Sequence, residues 1–405
     1  MATQRIYYDD AYVREFTAKV LSCEAVPPNL QAGRTQTAWA VVLDRTALYP
    51  ASGGQPHDFG KLGDAGVLEV QDEGDEVIHI VDRELDEGAA VAGCVDWPRR
   101  FDHMQQHTGQ HLLSAVFQER AGLPTVSFHL GEEICTIDLR GPEPSDELLE
   151  GIERAANHII FENRDLHVHY ATPEQLAERG VRKRIEREGM LRVIEIVGAD
   201  YQPCGGTHVR STGQIGLVLV RRRSKVRGDW RVEFVSGRRA ERLARADFRQ
   251  LRDAAQALQC APDEVHAAAE RVVAERDAHF AALRGSLQQL AEAGAALTLH
   301  SAVAAGDGLC VVERVLEGVH PDFPGLFAAA LAKRERVVAL VAASDTGQIL
   351  FAQHPAEGRD MAVLLKRVLG EVDGKGGGTK DFARGKLADA SAVGRAIELA
   401  RTWLA

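Results

Sequence analysis

The stretch Asp102-His103-Met-Gln-Gln-His107-Thr-Gly-Gln-His111 sets two histidines four residues apart. On a helix, positions i and i+4 share a face, so the His107 and His111 imidazoles can reach one ion. His103 extends that face by one turn and could be a ligand, a support for one, or neither. Alone, an HxxxH pair is weak evidence for metal. The Glu that follows the first histidine of a protease zinc helix is Thr108 here, so a metalloprotease reading lacks its general base. Further along, Tyr201-Gln-Pro-Cys204-Gly-Gly-Thr-His208 places a thiol and an imidazole four apart across a Gly-Gly turn. Glycines let such a loop fold back so that both side chains point inward. Thiolate and imidazole suit zinc, and three His with one Cys complete a tetrahedron. One Zn2+ on His107, His111, Cys204 and His208 is the expectation.

These pairs need a helix and a loop held together. Residues 1–95 read as β-structure with barrel-like spacing: Trp39–Leu43, Gly66–Val70 and Glu76–Val81 are short apolar strands, with turn-rich Leu48–Pro56 between them. Asp96-Trp-Pro-Arg-Arg100 marks a boundary before a helix whose apolar side carries Leu112, Leu113, Ala115, Val116 and Phe117. A second helix spans about 145–161. Strands follow at Leu166–Tyr170, Leu191–Ile196, Ile215–Val220 and Trp230–Val235, giving an α+β core over 96–238. Residues 239–296 form a helical connector, a hairpin or short coiled coil broken near Ala261-Pro262-Asp263. Val273, Phe280 and Leu287 repeat every seven residues, Leu283 and Leu290 fill the second seam position, and Arg276 interrupts it. Residues 297–405 alternate again as a small α/β domain. Its strands are Leu309–Val312, Val337–Val341 and Ile349–Phe351, its helices lie near 322–333, 360–370 and 391–403, and Gly374–Lys380 is a glycine loop.

Bulk properties narrow the class. The chain has 405 residues, 45% hydrophobic and 26% charged, as in a soluble multidomain protein. No apolar run approaches the roughly 18 residues of a membrane span, and Met1-Ala-Thr-Gln-Arg-Ile-Tyr-Tyr lacks a signal-peptide core, so a cytoplasmic location is expected. Six scattered cysteines give no disulfide framework. Net charge is −11, against a generic polyanion binder, yet Arg221-Arg222-Arg223-Ser-Lys225-Val-Arg227 and the cluster Arg179, Arg182, Lys183, Arg184, Arg187 are locally basic. Taken alone, either cluster reads as solvated surface.

His107-Thr-Gly-Gln-His111-Leu-Leu-Ser, together with Cys204-Gly-Gly-Thr-His208, resembles the editing domain of alanyl-tRNA synthetase and its free-standing relatives, the alanyl-tRNA editing proteins. Tyr49-Pro-Ala-Ser-Gly-Gly-Gln55 with Asp58-Phe-Gly60 is similar to the family's glycine-rich barrel motif. Ser127-Phe-His-Leu-Gly-Glu132, Thr136-Ile-Asp138 and the C-terminal Gly376–Gly385 segment, similar to the DHH-associated domain, extend the resemblance over nearly the whole chain. About 100 residues precede the HxxxH helix and the barrel motif fills them, so no aminoacylation domain is expected. Phe128 stands where synthetase editing domains commonly carry Gln.

The resemblance implies a trans-editing hydrolase that deacylates Ser-tRNA(Ala), or Gly-tRNA(Ala), at a zinc site. A pocket built for alanine cannot exclude glycine sterically and penalises an added hydroxyl only modestly, so a second hydrolytic site is the remedy. Zinc could generate hydroxide, polarise the carbonyl or anchor the substrate, and His208 is the candidate for a displaceable ligand. Catalytic roles are assigned to His107, His111, Ser52 and His129. Substrate or tRNA contacts are assigned to Gly53, Gly54, Gln55, Thr207, Arg182, Lys183, Arg221, Arg222, Lys225, Gly376, Gly377 and Gly378, with Lys375 and Lys380 beside the last three. Thr207 and Gln110 flank ligands and could support them. A homodimer through the connector or the C-terminal domain is compatible with the seam. A competing expectation is a non-catalytic, zinc-stabilised tRNA-binding or assembly protein. A DHH-type phosphoesterase ranks low, since the sequence has no DHH triplet.

Overall fold

The computed structural model describes residues 2–26, 37–179, 181, 189–302 and 308–404. The chain forms two compact units, Met1–Leu251 and Arg252–Ala405.

The first unit opens with β1 (Gln4–Arg5), α1 (Ile6–Asp9), β2 (Glu15–Ala25), β3 (Trp39–Leu43), β4 (Arg45–Thr46), β5 (Gly60–Leu62), β6 (Ala65–Glu73), β7 (Glu76–Val81) and β8 (Ala90–Val95). Six of these strands close a barrel in the order β2-β3-β7-β6-β5-β8. Alternation fills it: Phe16, Ala18 and Val20 of β2 point inward between exposed Glu15, Thr17 and Lys19. His79 on β7 is fully buried, bonded to Thr46 Oγ1 at 2.9 Å and to the Val41 carbonyl at 3.2 Å. Burial pushes its pKa down to about 4, so the barrel holds this ring neutral.

Asp96 then caps α2 (Trp97–Ala121), accepting from the Arg99 N–H, and left-handed Gly122 ends it. Its middle, from His103 to Phe117, is buried all round. The sheets around it come from β9 (Thr125–Leu130), β10 (Cys135–Leu139), β11 (Leu166–Ala171), β12 (Leu191–Ile196), β13 (Asp200–Pro203), β14 (Val218–Val226) and β15 (Asp229–Ser236), with helices α3 (Asp146–Phe161) and α4 (Pro173–Glu178). They pair as a four-stranded sheet, β14-β15-β10-β9, and a three-stranded one, β11-β12-β13. Gln106 clasps the end of β15: its Nε2 donates to the Ser236 carbonyl at 2.9 Å and its Oε1 accepts from the Ser236 N–H at 2.8 Å. That clasp fixes the rotation of α2. Arg100 of α2 and Asp58 of the barrel form a fully buried ion pair, and the guanidinium also donates to the Ala11 and Ala47 carbonyls. Ile215, expected in a strand, lies instead in a 3-10 turn, Thr212–Ile215, and β14 starts at Val218.

The connector is α5 (Gly237–Leu258), a 3-10 turn at Pro262–Glu264, and α6 (Val265–Ser301). Leu287 packs on the C-terminal core, but Val273, Phe280, Leu283 and Leu290 stay exposed. The seam is therefore not covered by the described residues of its own unit.

The second unit continues with β16 (Cys310–Leu316), α7 (Phe323–Leu331), β17 (Val337–Ala343), β18 (Gln348–Gln353), α8 (Met361–Val372), β19 (Gly374–Gly378), β20 (Phe382–Leu387) and α9 (Val393–Leu404). The sheet order is β16-β17-β18-β20-β19, with only β16 and β17 parallel. The expected glycine loop is thus a correction: Gly376, Gly377 and Gly378 form an edge strand paired with β20. A Cβ at Gly376 would sit 2.5 Å from the Arg384 carbonyl oxygen, and one at Gly378 2.3 Å from that of Phe382. The glycines are there because the two backbones pass too close for side chains.

Candidate metal centre

His107, His111, Cys204 and His208 converge, with one ligand atom from each lying within 4.8 Å of all the others. The helix supplies the first pair and the loop after β13 the second. Cys204 Sγ is 3.5 Å from His107 Nε2 and 3.3 Å from His208 Nε2. A tetrahedral zinc with bonds of about 2.1 Å to N and 2.3 Å to S separates its donors by about 3.6 Å, so the spacing fits the ion.

The orientation of each ring follows from its other nitrogen. Gln55 Oε1 accepts from His107 Nδ1 at 2.9 Å and from the Thr207 N–H at 3.1 Å, while its Nε2 donates to Thr207 Oγ1 at 2.9 Å. The backbone donor identifies Oε1 as the oxygen, so His107 carries its proton on Nδ1. His111 Nδ1 donates to Asp200 Oδ2 at 2.9 Å. Thr108 spends its one proton on the Met104 carbonyl at 2.8 Å and so accepts from His208 Nδ1 at 3.2 Å. All three rings therefore turn Nε2 toward the thiol, the arrangement of a ligand imidazole backed by an oxygen.

Electrostatics favour a cation here. Burial opposes charge on His111, but Asp200 and Cys204 outweigh it and hold its pKa up at about 9. Burial pushes His208 down to about 3. Burial also opposes the Cys204 thiolate, yet His107, His208 and His111 pull its pKa well below the usual thiol value. A divalent cation can replace the proton held between thiolate and imidazole.

The loop is held from outside the ligand set. Arg192 of β12 donates from Nη1 to the Cys204 and Gly206 carbonyls, at 2.8 and 2.9 Å, and from Nε to the Tyr8 carbonyl at 3.1 Å. Gly206 packs against the first ligand: a Cβ there would lie 2.2 Å from His107 Cε1.

Other expected residues are distributed as follows. Gln55 and Thr207 are buried and bonded to each other beside His107, while Ser52 pairs with Gln55 across the Gly53-Gly54 turn. Phe128 faces His107, ring centroids 5.8 Å apart; His129, next along the strand, is exposed on the opposite face and does not join the cluster. His103 is buried but stands outside the four-residue group, among Arg99, Arg239 and Arg100. The basic run is not a bare cationic strip: Arg221 pairs with Asp247, Arg222 with Glu233 at 2.8 Å, and Arg223 with Glu143 at 3.0 Å and with Asp146, while Lys225 lies over Trp230. Arg182, Lys183, Arg184 and Arg187 lie outside the described residues. Asp200 and Arg192 were missed: Asp200 backs a ring 89 residues away, and nothing near Arg192 marks its guanidinium for the Cys204 and Gly206 carbonyls, 12 and 14 residues on.

The family profile "Threonyl and Alanyl tRNA synthetase second additional domain" matches residues 191–233, "tRNA synthetases class II (A)" matches 1–99, and the DHHA1 domain matches 308–405. The chain is 31% identical over 401 residues to the alanyl-tRNA editing protein AlaX-L of Pyrococcus horikoshii, covering 95% of this chain and 94% of that one. It is 31% identical over 392 residues to an alanyl-tRNA editing protein of Rattus norvegicus, covering 93% and 92%. It also matches an alanine–tRNA ligase of Pyrococcus abyssi at 31% over 415 residues, 98% of this chain but 43% of the ligase.

Proposed function

The chain belongs to the alanyl-tRNA editing protein family, and from that premise we propose that it is an aminoacyl-tRNA hydrolase that clears serine, and secondarily glycine, from mischarged tRNA(Ala) at a zinc site. The observation that carries this reading is the three-imidazole, one-thiol cluster with every Nδ1 backed by an oxygen. A zinc ion on His107, His111, Cys204 and His208 supplies Lewis acidity for an ester carbonyl or a water.

The chain's own residues prepare that site. Gln55, Asp200 and Thr108 hold the ring protons on Nδ1, leaving each Nε2 lone pair free for coordination. Arg192 fixes the Cys204–Gly206 backbone against the Tyr8 segment, and Phe128 lends His107 an apolar neighbour that limits water. The division of labour we propose is a barrel over 1–95 that completes the site, an editing core over 96–238, a connector over 239–296, and a DHH-associated domain over 297–405. Arg222 and Lys225 are offered as phosphate contacts. Exposed pairs such as Arg222–Glu233 are worth about 0–1 kcal/mol, so a tRNA phosphate can displace the carboxylate. The exposed α6 seam supports pairing with a second copy. Among the described residues no helix is long and apolar enough to cross a membrane.

The test is deacylation of Ser-, Gly- and Ala-tRNA(Ala) with zinc measured on the same sample. Expected are about one zinc per chain, turnover of Ser-tRNA but not Ala-tRNA, and loss of both zinc and activity in His107→Ala. Wild-type protein that binds tRNA and zinc yet deacylates nothing would leave the binding-protein reading in its place.

A further inference from the structure

Beside the cluster, one buried polar group is only half used. Gln110 stands one helical turn beyond His107 and directly before His111, and it is 4% exposed. One end of its amide is tied down: Nε2 donates to Ser114 Oγ at 2.8 Å, and Thr125 Oγ1 of β9 donates to the same oxygen at 2.8 Å. The other end, Oε1, is buried and has no hydrogen-bond partner among the described residues. β9 runs back along α2, with Thr125 at Ser114 and Phe128 at His107. Gln110 therefore belongs to the layer between helix and strand that flanks the metal ligands. Phe128 offers that layer no hydrogen bond.

An unpartnered buried amide oxygen costs free energy and calls for a donor. Turning the amide over does not remove the problem; it leaves an N–H unpaired instead. The missing partner must sit beside the ligands and be able to donate or accept.

We propose that the unpartnered end of the Gln110 amide takes the side-chain hydroxyl of a seryl group esterified to tRNA, and that Gln110 is the residue separating serine from alanine at this site. This rests on the editing reading above. A seryl hydroxyl both donates and accepts, so it satisfies either orientation of the amide. An alanyl methyl satisfies neither and leaves the group buried and unpaired. Sites built to bond a hydroxyl reject the analogue that lacks it far more strongly than apolar pockets sort by size. Glycine offers no hydroxyl either, but without the methyl it leaves room for a water to meet the amide, so its ester is not rejected and gains nothing from Gln110.

That asymmetry supplies the test. Wild type, Gln110→Met and Gln110→Asn are compared on Ser-, Gly- and Ala-tRNA(Ala), with zinc content alongside. Met keeps the volume and removes the hydrogen bond; Asn withdraws the amide by one methylene and serves if Met impairs folding. The expected result is a fall of about tenfold or more in kcat/KM for Ser-tRNA, with Gly-tRNA turnover and zinc content unchanged, so that the serine-to-glycine ratio collapses. An equal fall on both substrates would make Gln110 structural and overturn the proposal, as would an unchanged ratio. A wild type active on Gly-tRNA and inactive on Ser-tRNA overturns it together with the serine preference proposed above, while leaving the hydrolase reading intact. A wild type inactive on every ester removes both.

Discussion

Three imidazoles are backed by three kinds of oxygen: an amide at His107, a carboxylate at His111 and a hydroxyl at His208. Only the carboxylate brings charge, so it contributes most to holding a dication. Asp200→Asn is expected to weaken zinc binding about 10–100-fold, read by competition with a chelator, while the fold persists. Gln55→Leu removes the acceptor of His107 Nδ1 and two bonds to Thr207, and a loss of zinc affinity in the same range is expected. Gly206→Ala sets a methyl onto the His107 ring; one zinc per chain in that variant would contradict the packing described. The ligands themselves were readable because each pair lies within one turn of chain. Their supports were not: Gln55 and Asp200 are 52 and 89 residues from the rings they hold. Gln55 was expected at the substrate, and only the fold brings it to a ligand.

Periodic elements were found nearly in place, since burial on one face writes itself into the sequence. Trp39–Leu43 and Leu191–Ile196 run between the expected residues. β2 was overlooked although it alternates, because Ala18 is a small inward residue that weakens the contrast. The glycine strand β19 reads as a loop in sequence because glycine signals turns far more often than close strand packing. One element carries a pH signature. His79 is held neutral inside the barrel, with a pKa of about 4 against 6.5. Below pH 6.5 the unfolded chain takes up a proton that the folded barrel refuses. Stability is complete above that value and falls as pH drops toward 4, by about 3 kcal/mol in total for a shift of this size. NMR of the ring should show no His79 titration between pH 7 and 5. A His79 that titrates near 6.5 in the folded protein would refute this account.

At the scale of the whole molecule, a net charge of −11 must coexist with any tRNA complex, so contacts to phosphate have to be local and salt-sensitive. If Arg222 and Lys225 each meet a phosphate, removing either by Ala substitution lowers the slope of log KM against log salt by about 0.7–0.9, and leaves kcat unchanged. An unaltered slope would return the basic strand to ordinary solvated surface.

Gln55 belongs to the barrel and His107 to the helix beyond it, and the bond between them makes each a ligand of the other in the thermodynamic sense. Coupling of this kind is reciprocal. If the barrel turn improves the grip of His107 on zinc, zinc bound at His107 must by the same amount stabilise the turn at Ser52–Gln55. Chelation should then raise the hydrogen-exchange rate of the Gln55 amide, in a segment that contributes no atom to the ion.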